Sequence, residues 1–168
     1  MKMAIKSEMI MNHIDYQGLI DDAVEFTGLK TGDLKYNEVI EKLRAADVVA
    51  LGYFRYGVAK KLLENLRTID PQLARGYLIG EHDYLEKINR NPITIVIKVA
   101  HKTAAHKSLL SGVERGLLAG YKKMMGIAAS EQESFVDIEI IDEDDLTTRY
   151  NYLHSIFAPT LKIDAKTN

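Results

Sequence analysis

Apolar residues recur along the chain with two periods, and the change falls near residue 92. Before it the spacing is helical. Tyr36, Val39, Ile40, Leu43 and Ala46 form a clean face, most of them at i, i+3, i+4 and i+7. Val48 to Leu66 reads as a longer apolar helix containing the run Leu51-Gly52-Tyr53-Phe54-Arg55-Tyr56-Gly57-Val58-Ala59. Upstream, Ile10, Ile14, Leu19, Val24 and Phe26 predict an imperfect amphipathic helix, interrupted near Gly18 and ended by Gly28. Thr31-Gly32-Asp33 is a turn. Asp70-Pro71 predicts the start of a further helix, because proline's fixed φ suits a first turn. Gly76 and Gly80 should break it, with a resumption over Glu81 to Ile88. Asn89 to Pro92 reads as a loop.

After residue 92 the pattern becomes strand, helix, strand. Ile93 to about Ala100 is β-branched almost throughout, and Phe135 to Ile141 alternates apolar and acidic, as a half-exposed strand does. Between them Ser108 to Met125 predicts a helix with Gly112, Gly116 and Gly120 on one face, four residues apart. Each costs roughly 1 kcal/mol of helix stability relative to alanine, so three in a row imply close approach of a sheet or another helix. Asp142 to Asp145 reads as an acidic turn. Thr148 to Phe157 fits strand or helix; its tyrosines, threonines and short preceding loop favour strand. The inner face of the sheet should carry Ile93, Ile95, Ile97 and Val99 with Val136, Ile138 and Ile140. These elements predict one α+β domain over residues 1–162, several helices packed on a small antiparallel sheet, followed by a polar tail over 163–168.

Bulk properties narrow the function classes. The chain has 168 residues and a formal net charge of −2, which gives no electrostatic case for a nucleic-acid partner. No signal peptide is visible, and no run of about 18 apolar residues supports a membrane span. There are no cysteines, which excludes disulfides, thiolate metal sites and thiol nucleophiles and fits a cytoplasmic, reducing setting.

Candidate chemistry is sparse. His101 and His106 bracket the connection between the first strand and the glycine-stepped helix. Their spacing is not the i, i+4 of a helical metal-binding pair, and exposed loop histidines are the plainer reading. Lys98, Lys102 and Lys107 make the same loop basic, suited either to solvent or to an anion at the helix N-terminus. The acidic run 142–145 lacks the spacing and glycine of a calcium loop. Tyr53, Phe54 and Tyr56 sit beside Gly52 and Gly57, where aromatics either wall a pocket or fill a core. No nucleophile elbow, phosphate loop or dinucleotide fingerprint is present, so the chain reads more as a non-enzyme than an enzyme.

Ser111-Gly112-Val113-Glu114-Arg115-Gly116-Leu117-Leu118-Ala119-Gly120, set between a strand and an acidic turn, resembles the end of the small TRAPP subunits. Leu51 to Leu63 resembles their glycine-spaced long helix. Those subunits belong to a superfamily with the 4-vinyl reductase domain and the heme nitric-oxide-binding domain. The resemblance spans about residues 46–157. It implies an α+β fold, dimerisation through helices and a hydrophobic pocket between helices and sheet. The expected function is therefore a non-enzymatic binding or regulatory domain. It would form a homodimer and hold a small apolar ligand near Tyr53, Phe54, Tyr56, His82, His101 and His106. One alternative is an assembly subunit with a filled core and no ligand. Another is a heme-based gas sensor with His82 as axial ligand, although the tyrosine-serine-arginine pattern of the heme branch is absent.

Overall fold

A computed structural model describes residues 14–79, 92–148 and 160–164. Three helices come first: α1 (Tyr16–Lys30), α2 (Tyr36–Arg44) and α3 (Val48–Ile69). A short 3-10 turn over Pro71–Ala74 leads into strand β1 (Arg75–Ile79), and β2 is Ile93–Lys98. Helix α4 (Ala104–Met125) carries the chain to β3 (Val136–Ile141), then come α5 (Glu143–Thr148) and β4 (Thr160–Asp164). The class is α+β, as the two periods predict.

The sheet order is β3-β2-β1-β4. It is mixed rather than antiparallel. β1 pairs antiparallel with β2 and β4, but β2 and β3 run parallel, with Ile95 opposite Ile138 and Ile97 opposite Ile140. The cause is α4: a 22-residue helix returns the chain to the end where β2 began, which is the connection a parallel pair requires. The alternation places side chains as expected. Ile93, Ile95, Ile97, Val99, Val136 and Ile140 join the main core with Ile138 packed against it. On the opposite face Val96 and Ile141 form a small second cluster with Tyr77 and Ile79.

Several local expectations are corrected. α1 runs unbroken through Gly18 and two residues beyond Gly28. Gly18 lies in the first turn, where its N–H donates to the capping Asp15 Oδ1 at 2.9 Å. Gly28 is buried beneath the Leu34 carbonyl, where a Cβ would not fit. Residues 71–79 hold no long helix. Leu73 and Ala74 are buried in the 3-10 turn, and β1 gains backbone partners on both sides, which outweighs the helical start signal at Pro71. Gly76 suits that place: a Cβ there would come within 3.1 Å of Leu63 Cδ1 and 3.2 Å of the Val96 carbonyl oxygen. The acidic run is a helical first turn, since α5 starts at Glu143. β4 extends to Asp164, so the stretch counted as polar tail from residue 163 begins inside the sheet. The expected helix over 81–88 and residues 149–157 of the Thr148–Phe157 segment lie outside the described residues; Thr148 itself closes α5.

α4 starts at Ala104 rather than Ser108 because Thr103 caps it, its hydroxyl oxygen accepting from the His106 N–H at 3.1 Å. The glycine face lies against α1. A Cβ on Gly116 would run into the Tyr16 ring, and one on Gly120 would sit 2.8 Å from Ile20 Cδ1. The neighbour implied by the glycine spacing is a helix, while Leu110, Val113 and Leu117 on other faces of α4 are buried in the core.

Candidate functional site

The aromatic–glycine segment opens α3, under an N-cap in which Asp47 Oδ1 accepts from the Ala50 N–H at 2.9 Å. One helical step is about 100°, so adjacent residues point apart while residues three or four apart share a side. Phe54 points into the core and is 1% exposed. Its ring centroid lies 6.4 Å from Tyr121 and 6.1 Å from Phe135, and those two stack on each other at 4.1 Å. Tyr53 and Tyr56 face the other way, toward Phe26 of α1, at 6.5 and 5.9 Å. The three aromatics therefore do not converge on one pocket. Phe54 belongs to the core, Tyr56 is half-buried against it, and Tyr53 is exposed.

The exposed part of this segment is apolar. Tyr53 is 38% exposed, Val49 62% and Val48 43%. Lys30 places its ammonium 5.7 Å from the Phe26 ring centroid, so its charge borders the patch. Gly52 is in the middle of the stretch, and no described atom beyond its own turn lies within 4 Å of where its Cβ would stand.

The histidines separate. His101 is exposed in the connection. His106 is not a loop residue: it lies buried in the first turn of α4, its Nε2 3.0 Å from Asp70 Oδ2. Asp70 also accepts from the Gln72 N–H at 3.0 Å, so the pair ties the end of α3 to the start of α4. His106 Nδ1 is buried with no partner among the described residues. His82 lies outside the described residues.

The basic loop and the acidic run are one network. Lys102 Nζ reaches both oxygens of Asp145, at 2.9 and 2.7 Å, and its backbone N–H donates to Asp142 Oδ2 at 3.1 Å. The backbone N–H of Asp142 donates to Asp145 Oδ2 and that of Asp145 donates to Asp142 Oδ1, at 3.0 and 3.1 Å. Lys98 stands 3.7 Å from Glu143. The hydrogen bond from Lys102 holds the Asp145 carboxyl below the usual carboxylate range, helped by the Asp142 N–H. An anion at this loop would compete with carboxylates already in place. Lys107 is exposed apart from them.

Two features escaped the sequence reading. Arg55 is buried in α3 and donates from Nη2 to the Pro92 carbonyl at 3.0 Å; its signal was a lone charge inside an apolar helical run. The second is a groove of about 410 Å³ between α1 and α2, where Asp21, Asp22, Glu25 and Asp33 stand around Leu29 and Leu34. Tyr36 donates there to Asp21 at 2.8 Å, and burial, then that bond, pushes its phenol up to about 12. Among the described residues no group of three metal-ligating side chains gathers, and no helix is long and apolar enough to cross a membrane. Comparison with family models, with curated proteins and with solved structures finds no match.

Proposed function

We propose that this chain is a non-enzymatic assembly domain that pairs with a second copy of itself through the exposed face of α1 and α3. The observation that carries this reading is the division of α3. Phe54 commits its ring to the core, whereas Val48, Val49 and Tyr53 of the same helix remain open to solvent. Contiguous apolar surface of this kind marks interaction sites more often than scattered single residues do. The resemblance to the small TRAPP subunits, with their helical pairing, agrees with it. Light scattering across micromolar concentrations tests the reading: a dimer mass is expected, and Val49→Asp should return it to a monomer. A monomer mass for the unaltered protein at every concentration would refute it.

A second reading keeps the small apolar ligand between helices and sheet. It rests on the resemblance drawn from the sequence, which implies a pocket there. Native mass spectrometry of the purified protein separates the two, since a copurifying mass is required by the second alone. The heme alternative rests on His82 and is tested by the visible absorption spectrum.

A further inference from the structure

We infer that the groove between α1 and α2 docks a basic amphipathic segment of another protein, one that sets an apolar side chain between lysines or arginines. The wall of the groove comes from helical spacing. Asp21, Glu25 and Leu29 lie four residues apart on α1, so they share one side of the helix over about 12 Å. Asp22 flanks that row, and the connection to α2 brings Asp33 and Leu34 to the same volume of about 410 Å³. Tyr36, the first residue of α2, donates to Asp21 Oδ1 at 2.8 Å and so holds that carboxylate in the wall. The groove also has an apolar part. Leu29 is 64% exposed and Tyr36 44%, with Leu34 half-buried.

The occupant follows from the charge. Four carboxylates line the groove and no lysine or arginine does, although the whole chain carries a net charge of only −2. None of the four is in an ion pair among the described residues. A partner that brings cations relieves the repulsion among them. A second copy meeting this one groove to groove would set its own carboxylates against these, so the groove does not suit self-pairing. A bare metal ion would leave Leu29 and Tyr36 in water, and no three ligating side chains gather among the described residues. A basic amphipathic segment uses both parts: its cations meet the carboxylates, and the apolar side chain between them covers Leu29 and Leu34. Exposed ion pairs are individually weak and screened by salt, so the apolar contact supplies the hold and the charges select the partner.

Fluorescence anisotropy with labelled synthetic peptides tests this on the full chain. The probe is a short amphipathic peptide of leucine and lysine; one control replaces lysine by glutamate, the other replaces leucine by serine. The leucine–lysine peptide should bind at low salt, and both controls should bind at least about tenfold more weakly. Asp22→Lys with Glu25→Lys reverses two exposed carboxylates of the groove and should weaken binding by about tenfold or more. Leu29→Ser should weaken it by about threefold or more. Glu131→Lys with Glu133→Lys, the same reversal in the loop before β3, should leave binding unchanged. All these substitutions fall on exposed side chains, so melting temperatures should stay close to that of the unaltered protein. Equal binding of the serine–lysine peptide, or equal weakening by the two double reversals, would mean a diffuse attraction of polycations and would overturn the proposal. So would a lack of binding by the leucine–lysine peptide, or full binding by Leu29→Ser.

Discussion

At the scale of single residues, the glycines of α4 and the aspartate of α5 give the sharpest consequences. A Cβ on Gly116 would meet the Cδ2–Cε2–Cζ edge of the rigid Tyr16 ring, so a larger side chain forces the ring or the helix aside. Gly116→Leu is expected to cost roughly 1–3 kcal/mol in a denaturant melt, more than the fraction gained from helix propensity. Gly120→Ala should cost less, since its contact is the end of the Ile20 side chain, which can rotate. Asp145 carries a pH signature. Its folded carboxyl is held below its ordinary value, first by the hydrogen bond from Lys102. Its contribution to stability is therefore complete above the unfolded value near pH 4 and is lost as pH falls through the depressed folded value. Melting temperatures of the unaltered protein and Asp145→Asn should differ at pH 7 and converge below about pH 4. A gap that stays constant to low pH would show that Lys102 does not favour the ionised form.

At the scale of elements, legibility followed the span over which partners lie. Helices α2 and α3 and strands β2 and β3 were readable because a single repeating face decides them: Val39, Ile40 and Leu43 are all buried where the spacing put them. β1 was missed because its five residues carry Gly76 and follow a proline. Its strand state comes from β2 and β4, whose paired residues lie 15 or more positions away in the chain. The parallel pairing of β2 and β3 was hidden for a related reason. Each strand's alternation is the same for either direction, and only the crossover by α4 sets it. Of the candidate site, the aromatic–glycine segment was found but its division was not. Whether Tyr53 or Phe54 faces inward depends on where α1 packs, and Phe26 is not marked as its neighbour by any spacing. Lys102 and Asp145 were each seen as exposed charge because their contact joins residues 43 apart. β1 also yields a consequence. Gly76→Val should lower the melting temperature, even though valine favours strands, because Leu63 and the Val96 carbonyl occupy the space. A rise would mean that Leu63 yields at little cost.

At the scale of the whole molecule, two adjacent residues should separate folding from assembly. Phe54 is the point where α3, α4 and the start of β3 meet, through Tyr121 and Phe135. Removing a buried phenylalanine side chain costs about 3–5 kcal/mol. Against the 5–15 kcal/mol typical of a domain, that is a large share. Phe54→Ala is therefore expected to shift the denaturation midpoint far toward water. Tyr53 has no such role: it touches Phe26 at the rim of the α1–α3 contact and leaves part of its ring in solvent. Tyr53→Ser should leave monomer stability within about 1 kcal/mol of the unaltered value, as surface substitutions usually do. It should nevertheless weaken self-association, because it removes an exposed aromatic side chain from the face of α3 proposed to pair. The two measurements, a denaturant melt below the dimerisation range and light scattering above it, must then rank the variants in opposite order. Phe54→Ala should lose most in the melt, and Tyr53→Ser should lose association without loss of fold. If both variants lose stability and association in proportion, then the tyrosine is part of the core after all, and the exposed face has no function of its own.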